Sequence, residues 1–200
     1  MRRAYEVIVV GCGGIGSATV YWLARTIGRD VLGIEQFRLG HERGSSQDHS
    51  RIIRYSYHDP AYTALARPTY ELWAELEEVS GQKLMVTCGG LDLELRGTTG
   101  PKDLSHCAES MRQQGVPFEE LDAAEIMRRW PQFTLPEEAR GLYQAQSGLV
   151  DARRTNAVHI ALARLHGATI LDELPVRGLR PTSAGVEVLT DDGVFSAGHV

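Results

Sequence analysis

Gly11-Cys12-Gly13-Gly14-Ile15-Gly16 is the stretch on which the fold turns. Before it, Tyr5-Glu6-Val7-Ile8-Val9-Val10 ends in a β-branched run, which predicts a strand buried on both faces of a parallel sheet. After it, residues 17–27 predict a helix that Gly28 closes as a C-cap. Asp30-Val31-Leu32-Gly33-Ile34-Glu35 predicts a second strand ending in an acid, about twenty residues beyond the glycines. Strand, GxGxxG, helix, strand and acid together form a dinucleotide-binding βαβ unit. Gly11 allows the tight strand-to-helix turn, Gly13 lets a pyrophosphate approach the backbone, and Gly16 lets the helix pack on the sheet. Gly14 and Ile15 add amides at the helix N-terminus, where unpaired N–H groups and the helix dipole favour phosphate. Glu35 accepts hydrogen bonds from the adenosine ribose hydroxyls and repels a 2′-phosphate, which disfavours NADP. Cys12 occupies a spacer position where only its backbone is expected to matter.

The glycine motif alone does not separate FAD from NAD. A simple NAD fold proceeds into another helix and strand. Here Glu35 and Gln36 lead into a polar loop over 38–50 carrying Arg43, Ser45 and Ser46, followed by Arg51 and Arg54. Such a loop supplies amides, hydroxyls and cations to a second aromatic head group. A flavin benefits from a nearby cation because its reduced form carries negative charge. FAD is therefore the expected cofactor, with an NAD-dependent dehydrogenase as the alternative.

The remaining composition bounds the function. The chain has 200 residues, a formal net charge of −5, 42% hydrophobic residues and 24% charged. That is ordinary for a globular protein, and its acidity argues against partners such as nucleic acid or an anionic membrane surface. No apolar run is long enough to span a bilayer, and the start does not read as a signal peptide. The expected location is the cytoplasm. Cys12, Cys88 and Cys107 are scattered without a CxxC, and the seven histidines show no metal-ligand spacing, so no metal is expected. His159 and His166, two turns apart on a predicted helix, read as ordinary surface or core residues.

Further along, Asp59-Pro60 predicts a helix start, running to about Val79 and stopped by Gly81. Residues 84–86 and 90–95 predict strands, and 104–114 a helix. Asp122 and Glu125 predict a capping box before a short helix that Pro131 ends. Residues 141–150 read as strand and turn. Asp151 caps a helix over 152–166 closed by Gly167, and 168–171, 186–190 and 194–200 read as strands.

The segments Glu35-Gln36-Phe37, Arg43-Gly44-Ser45-Ser46 and Ser50-Arg51-Ile52-Ile53-Arg54 resemble the monomeric sarcosine oxidase group. These are FAD-dependent amine oxidases that include pipecolate oxidase and N-methyltryptophan oxidase, within the D-amino-acid-oxidase-like superfamily. The likeness continues through Tyr70-Glu71-Leu72-Trp73 and Gly148-Leu149-Val150-Asp151. It implies an α/β fold: a Rossmann-like FAD-binding domain (1–80 and 142–200) with an inserted, partly present α+β substrate domain (81–141). It implies oxidation of a secondary or N-methylated amino acid by hydride transfer to flavin, giving an imine and, with molecular oxygen, hydrogen peroxide. By resemblance Arg51 lies over the flavin, Arg54 clamps the substrate carboxylate, and the backbone of Val176 contacts adenine. Gln47-Asp48-His49 stands where the family carries a loop histidine. Family chains are about twice as long, and their flavin-linking cysteine, second clamping cation and oxygen-activating lysine fall after Val200. The chain thus reads as an N-terminal portion of an enzyme monomeric when whole, and by itself poorly soluble and inactive. A flavin-binding fragment without activity is the further alternative.

Overall fold

A computed structural model describes residues 2–95 and 104–200. Their contacts divide into two compact units, Met1–Ser50 with Asp151–Val200, and Arg51–Val150. The changeovers fall at 50/51 and 150/151, not at the expected 80/81 and 141/142. The reason is local: Arg51 pairs with Val150 across two antiparallel strands, so the chain enters and leaves the second unit side by side.

In the first unit, β1 (Ala4–Val10) lies between β2 (Val31–Ile34) and β12 (Gly193–His199), parallel to both. β9 (Thr169–Leu171) extends the parallel ladder beyond β2. β10 (Val176–Thr182) and β11 (Gly185–Thr190) extend the other edge antiparallel, giving the order β10-β11-β12-β1-β2-β9. The strand buried on both faces is β2, not β1. All four β2 residues are buried, whereas Val7 and Val9 are half-buried and Val10 is exposed. Leu32 and Ile34 join a cluster with Tyr5, Ile8, Val188 and Phe195, while Gly33 faces Cys12 and Val20 on the other side.

α1 (Gly14–Ile27) begins one turn earlier than expected and buries Ser17, Val20, Tyr21 and Ala24, one stripe at helical spacing. Gly28, at φ 53°, closes it by donating its N–H to Ala24 O. α1 packs on α5 (Ala152–Leu165), where the Tyr21 ring stacks on His159 with centroids 5.7 Å apart. Burying such side chains contributes about 1.5–3 kcal/mol each. The edge strand β10 escaped the sequence reading because Arg177, Gly178, Arg180 and Pro181 hide its alternation. It is held by β11 and by the pairs Arg177–Asp191 and Arg180–Glu187.

In the second unit, β3 (Arg51–Ile53), β8 (Gly148–Val150) and β4 (Met85–Thr87) form one antiparallel sheet. β5 (Gly90–Glu94), β7 (Arg140–Gln144) and β6 (Glu119–Asp122) form another. α2 (Pro60–Ser80) starts where the Asp59 carboxylate accepts the Ala61 N–H and stops at Gly81, φ 65°. α3 (Leu104–Gln113) sends Ala108 and Met111 into a core with Tyr55, Val116 and Leu142. Asp122 caps α4 (Ala123–Arg129) by accepting the Glu125 N–H. Only half of the expected capping box forms, because the Glu125 carboxylate takes Arg128 and Arg129 instead. That paired position holds its carboxyl down at about 2.

Candidate dinucleotide site

The first unit concentrates its candidate residues where β1 meets α1. Gly11, at φ 89°, turns the chain and donates its N–H to Ile34 O across the sheet (2.7 Å). A Cβ on Gly16 would stand 1.8 Å from Gly11 O, so the two glycines fold onto one another. Gly13 differs. A Cβ there would meet only Ser46 Oγ at 3.6 Å, so the space above it is open. Ser46 Oγ accepts the Gly14 N–H at 2.8 Å, and the first turn of α1 carries no acidic side chain to repel an anion. Ile15 is 87% exposed on that turn, so its backbone is its contribution.

Glu35, at the end of β2, is buried. Its Oε2 accepts the Cys12 N–H (2.8 Å) and its Oε1 the Phe37 N–H (3.1 Å). A carboxylate has roughly four lone-pair positions, so two remain for a ligand. Cys12 contributes backbone, as expected. Its thiol is buried and pushed up to about 12, first by desolvation and then by the Glu35 charge, so it is no nucleophile near neutral pH.

A cavity of about 340 Å³ opens beside these groups, within the roughly 300–1,000 Å³ of small-molecule sites. Cys12, Gly13 and Glu35 form one end, and His41, Gly44, Ser46 and Gln47 of the 38–50 loop form a wall. The opposite wall is one face of α5: Arg153, Asn156, Ala157, Ile160, Ala161 and Arg164 recur every three or four residues. No motif marked these α5 residues; the recurrence of small and polar side chains at helical spacing was the available signal. Asn156 ties the wall to the glycine loop by donating to Cys12 O (3.3 Å) and accepting from Ser17 Oγ (2.5 Å). The His159 ring is buried behind it, with Nδ1 3.5 Å from Ser17 Oγ, and burial pushes it down to about 4. It is a neutral core histidine. His166 packs against Tyr21.

The other expected contacts are placed as follows. Gln36 and Ser45 are exposed. The Arg43 guanidinium lies 4.7 Å from the Phe37 ring centre. His49 Nδ1 is 3.7 Å from Asp151 Oδ1, with its side chain largely exposed. Val176 opens β10 and packs against the Leu32 and Ile34 cluster, outside the cavity lining.

Arg51 and Arg54 belong to the second unit. The expected irregular or helical turn is not present: Arg51–Ile53 is a β-strand held by β8, and Arg54 follows its end. Cross-strand pairing with Gly148-Leu149-Val150 fixes this extended geometry. Arg54 Nη1 donates to Asp92 Oδ1 (2.6 Å), and its guanidinium sits 5.6 Å from the Tyr57 ring centre. Among the described residues, no group of three His, Cys, Asp or Glu is placed to hold a metal ion. None of the described helices is long and apolar enough to cross a membrane.

This parallel sheet, glycine turn and buried strand-end acid fit the pyrophosphate and adenosine of a dinucleotide. Residues 6–200 match the family of FAD dependent oxidoreductases, DAO, and the chain belongs to it. FAD is the cofactor of that family, which settles the choice against NAD. The chain is 37% identical to monomeric sarcosine oxidase of Streptomyces avermitilis over its whole length, covering 51% of that protein. It is 32% identical to N-methyl-L-tryptophan oxidase of Yersinia pestis, over 98% of this chain and 52% of that one. Among solved structures, NikD, an unusual amino acid oxidase essential for nikkomycin biosynthesis, superposes with a TM-score of 0.85 at 32% identity, over 98% of this chain and 50% of its own. Glycine oxidase from Geobacillus kaustophilus gives 0.79 at 26% identity, over 98% and 54%. The chain thus spans about half the length of the relatives it matches.

Proposed function

We propose that the protein acts as an FAD-dependent oxidase of a secondary or N-methylated amino acid, sarcosine- or pipecolate-like. The observation that carries this is the buried Glu35 carboxylate, held by the Cys12 N–H beside the open backbone at Gly13, in a chain of this family. The names of its relatives, sarcosine oxidase and N-methyl-L-tryptophan oxidase, supply the substrate class. In this reading residues 1–80 and 142–200 form the FAD-binding domain and residues 81–141 belong to the substrate domain. The whole enzyme works as a cytoplasmic monomer.

The α1 N-terminus, with Gly13 and Gly14, receives the pyrophosphate, since its amides and dipole favour anions. Glu35 accepts the adenosine ribose hydroxyls. Ser46 fixes the Gly14 amide, and Gln36, Arg43 and Ser45 line the approach of the dinucleotide. Val176 meets adenine through its backbone. Arg51 supplies positive charge at the flavin. Arg54 binds the substrate carboxylate, a task for which a guanidinium's parallel donors suit it better than a lysine's point charge. When held there, FAD would supply the two-electron acceptor for the C–H bond beside the amine nitrogen, with molecular oxygen taking the electron pair as hydrogen peroxide and water hydrolysing the imine.

The test uses the full-length protein. The expected preparation is yellow and releases peroxide with sarcosine, pipecolate or N-methyltryptophan. Glu35→Ala should weaken FAD by about 1.5–3 kcal/mol, the scale of hydrogen bonds to a charged group. A colourless wild type, or flavin retention unchanged in Glu35→Ala, overturns the reading.

A further inference from the structure

We propose that His41 is a positioning residue for the adenosine ribose, acting through Glu35; this rests on the FAD reading above. His41 stands on the cavity wall with Nε2 3.4 Å from Glu35 Oε1. Three features hold it there. The Arg43 N–H donates to its Nδ1 (3.0 Å), its ring meets Phe37 edge-on at 4.9 Å, and its own N–H closes a turn onto Arg38 O (3.1 Å). That turn needs a positive φ at its third residue, which Gly40 supplies at 79°. A Cβ on Gly40 would meet nothing within 4 Å, so conformation alone calls for glycine there.

The Arg43 contact fixes the chemistry of the ring. A neutral imidazole whose Nδ1 accepts a hydrogen bond carries its proton on Nε2. His41 therefore presents an N–H to Glu35. The Cys12 and Phe37 amides hold one lone pair on each Glu35 oxygen. With His41 and Phe37 both at Oε1, His41 restrains the carboxylate from the cavity side, so that the lone pair left on Oε2 stays turned toward the space beside Gly13. A ribose hydroxyl is the donor that remaining position can accept. The sequence motif ends at Glu35; His41 extends it by a residue that a side-chain contact identifies.

The experiment is calorimetric titration of the full-length apoprotein with ADP, which carries the ribose and pyrophosphate but no flavin. Four proteins are compared: wild type, His41→Phe, Glu35→Ala and the double variant. His41→Phe keeps an aromatic edge against Phe37 and removes the N–H. It should weaken ADP about tenfold beside Glu35 and less than twofold beside Ala at that position, a coupling that a merely structural role does not give. His41→Gln, which retains a donor, should lose less than His41→Phe. Equal ADP affinity in wild type and His41→Phe overturns the proposal, and so does an equal loss in both backgrounds. If His41→Phe melts early, the comparison of His41→Gln in the two backgrounds decides. A wild type that binds ADP while Glu35→Ala binds it equally overturns the ribose reading itself.

Discussion

The glycine loop at Gly11–Gly16 and the arginine stretch at Arg51–Arg54 both stand out in the sequence, yet they are built on different principles. The loop works through its backbone. Its requirements, a positive φ at Gly11, contact between Gly16 and Gly11, and open space at Gly13, are set within six residues. The arginine stretch works through side chains whose surroundings come from far along the chain: β8 sets the strand, and Asp92 takes the Arg54 guanidinium. A site encoded in backbone is local in sequence, whereas a site encoded in guanidinium groups takes its geometry from distant partners.

The sharpest way to break this contrast lies within the loop. Gly16→Val drives a Cβ into the Gly11 carbonyl and should exceed the usual overpacking cost of about 1–3 kcal/mol. The expected result is loss of soluble, cooperatively melting protein. Gly13→Val should leave the melting temperature of the apoprotein unchanged and abolish flavin content. Full flavin in purified Gly13→Val removes the pyrophosphate from this position.

The support behind the loop has its own signature. His159 is pushed down to about 4 from 6.5 by burial, so the unfolded state binds its proton first as pH falls. Its neutral-state contribution is complete above pH 6.5 and is lost progressively down to pH 4, by at most about 3 kcal/mol. In chemical denaturation between those values, His159→Gln should show a shallower acid loss than wild type. Equal slopes place the histidine in water.

For the arginine stretch, Arg54→Met in the full-length enzyme should raise KM for a carboxylate-bearing amine about tenfold to a hundredfold with flavin content spared, matching about 1.5–3 kcal/mol for a charged hydrogen-bonded pair. Equal losses on the amino acid and its decarboxylated analogue remove the clamp. Asp92→Ala perturbs the pair from the other side. The partly exposed pair itself contributes at most about 1 kcal/mol, and loss of the Ser56 hydroxyl's acceptor adds about 1–3 kcal/mol, read in urea melts. A loss that Ser56→Ala removes belongs to the Ser56 hydrogen bond, and one that persists there makes the pair a structural element of the second unit.

The same distinction explains what was legible. β1, α1, β2 and the caps Gly28, Asp59, Gly81, Asp122 and Asp151 follow from residues within a turn of where they act. β6 and β10 were missed because their charged and proline-containing sequences become strands through pairing with β7 and β11. The limits of the two compact units were not readable, because the pairing of Arg51 with Val150 is invisible until both ends are folded. Of the cavity lining, Gly13, Glu35 and Ser46 were singled out by the sequence, whereas Asn156 and the rest of the α5 face were not. Asn156 meets Cys12 and Ser17 across more than a hundred intervening residues.

That separation has a consequence for synthesis. β1 and β2 emerge early, but their flanking strands β9 and β12 and the helix α5 come only after the hundred residues 51–150. At about 5–20 residues per second, the hundred residues 51–150 alone keep the nascent β1–β2 pair waiting on the order of 5–20 s before β9 or β12 can pair with it. During that interval Glu35 has its amides from Cys12 and Phe37 but no α5 wall opposite. Until then the half-sheet presents two unpaired edges, each a template for pairing with a free strand.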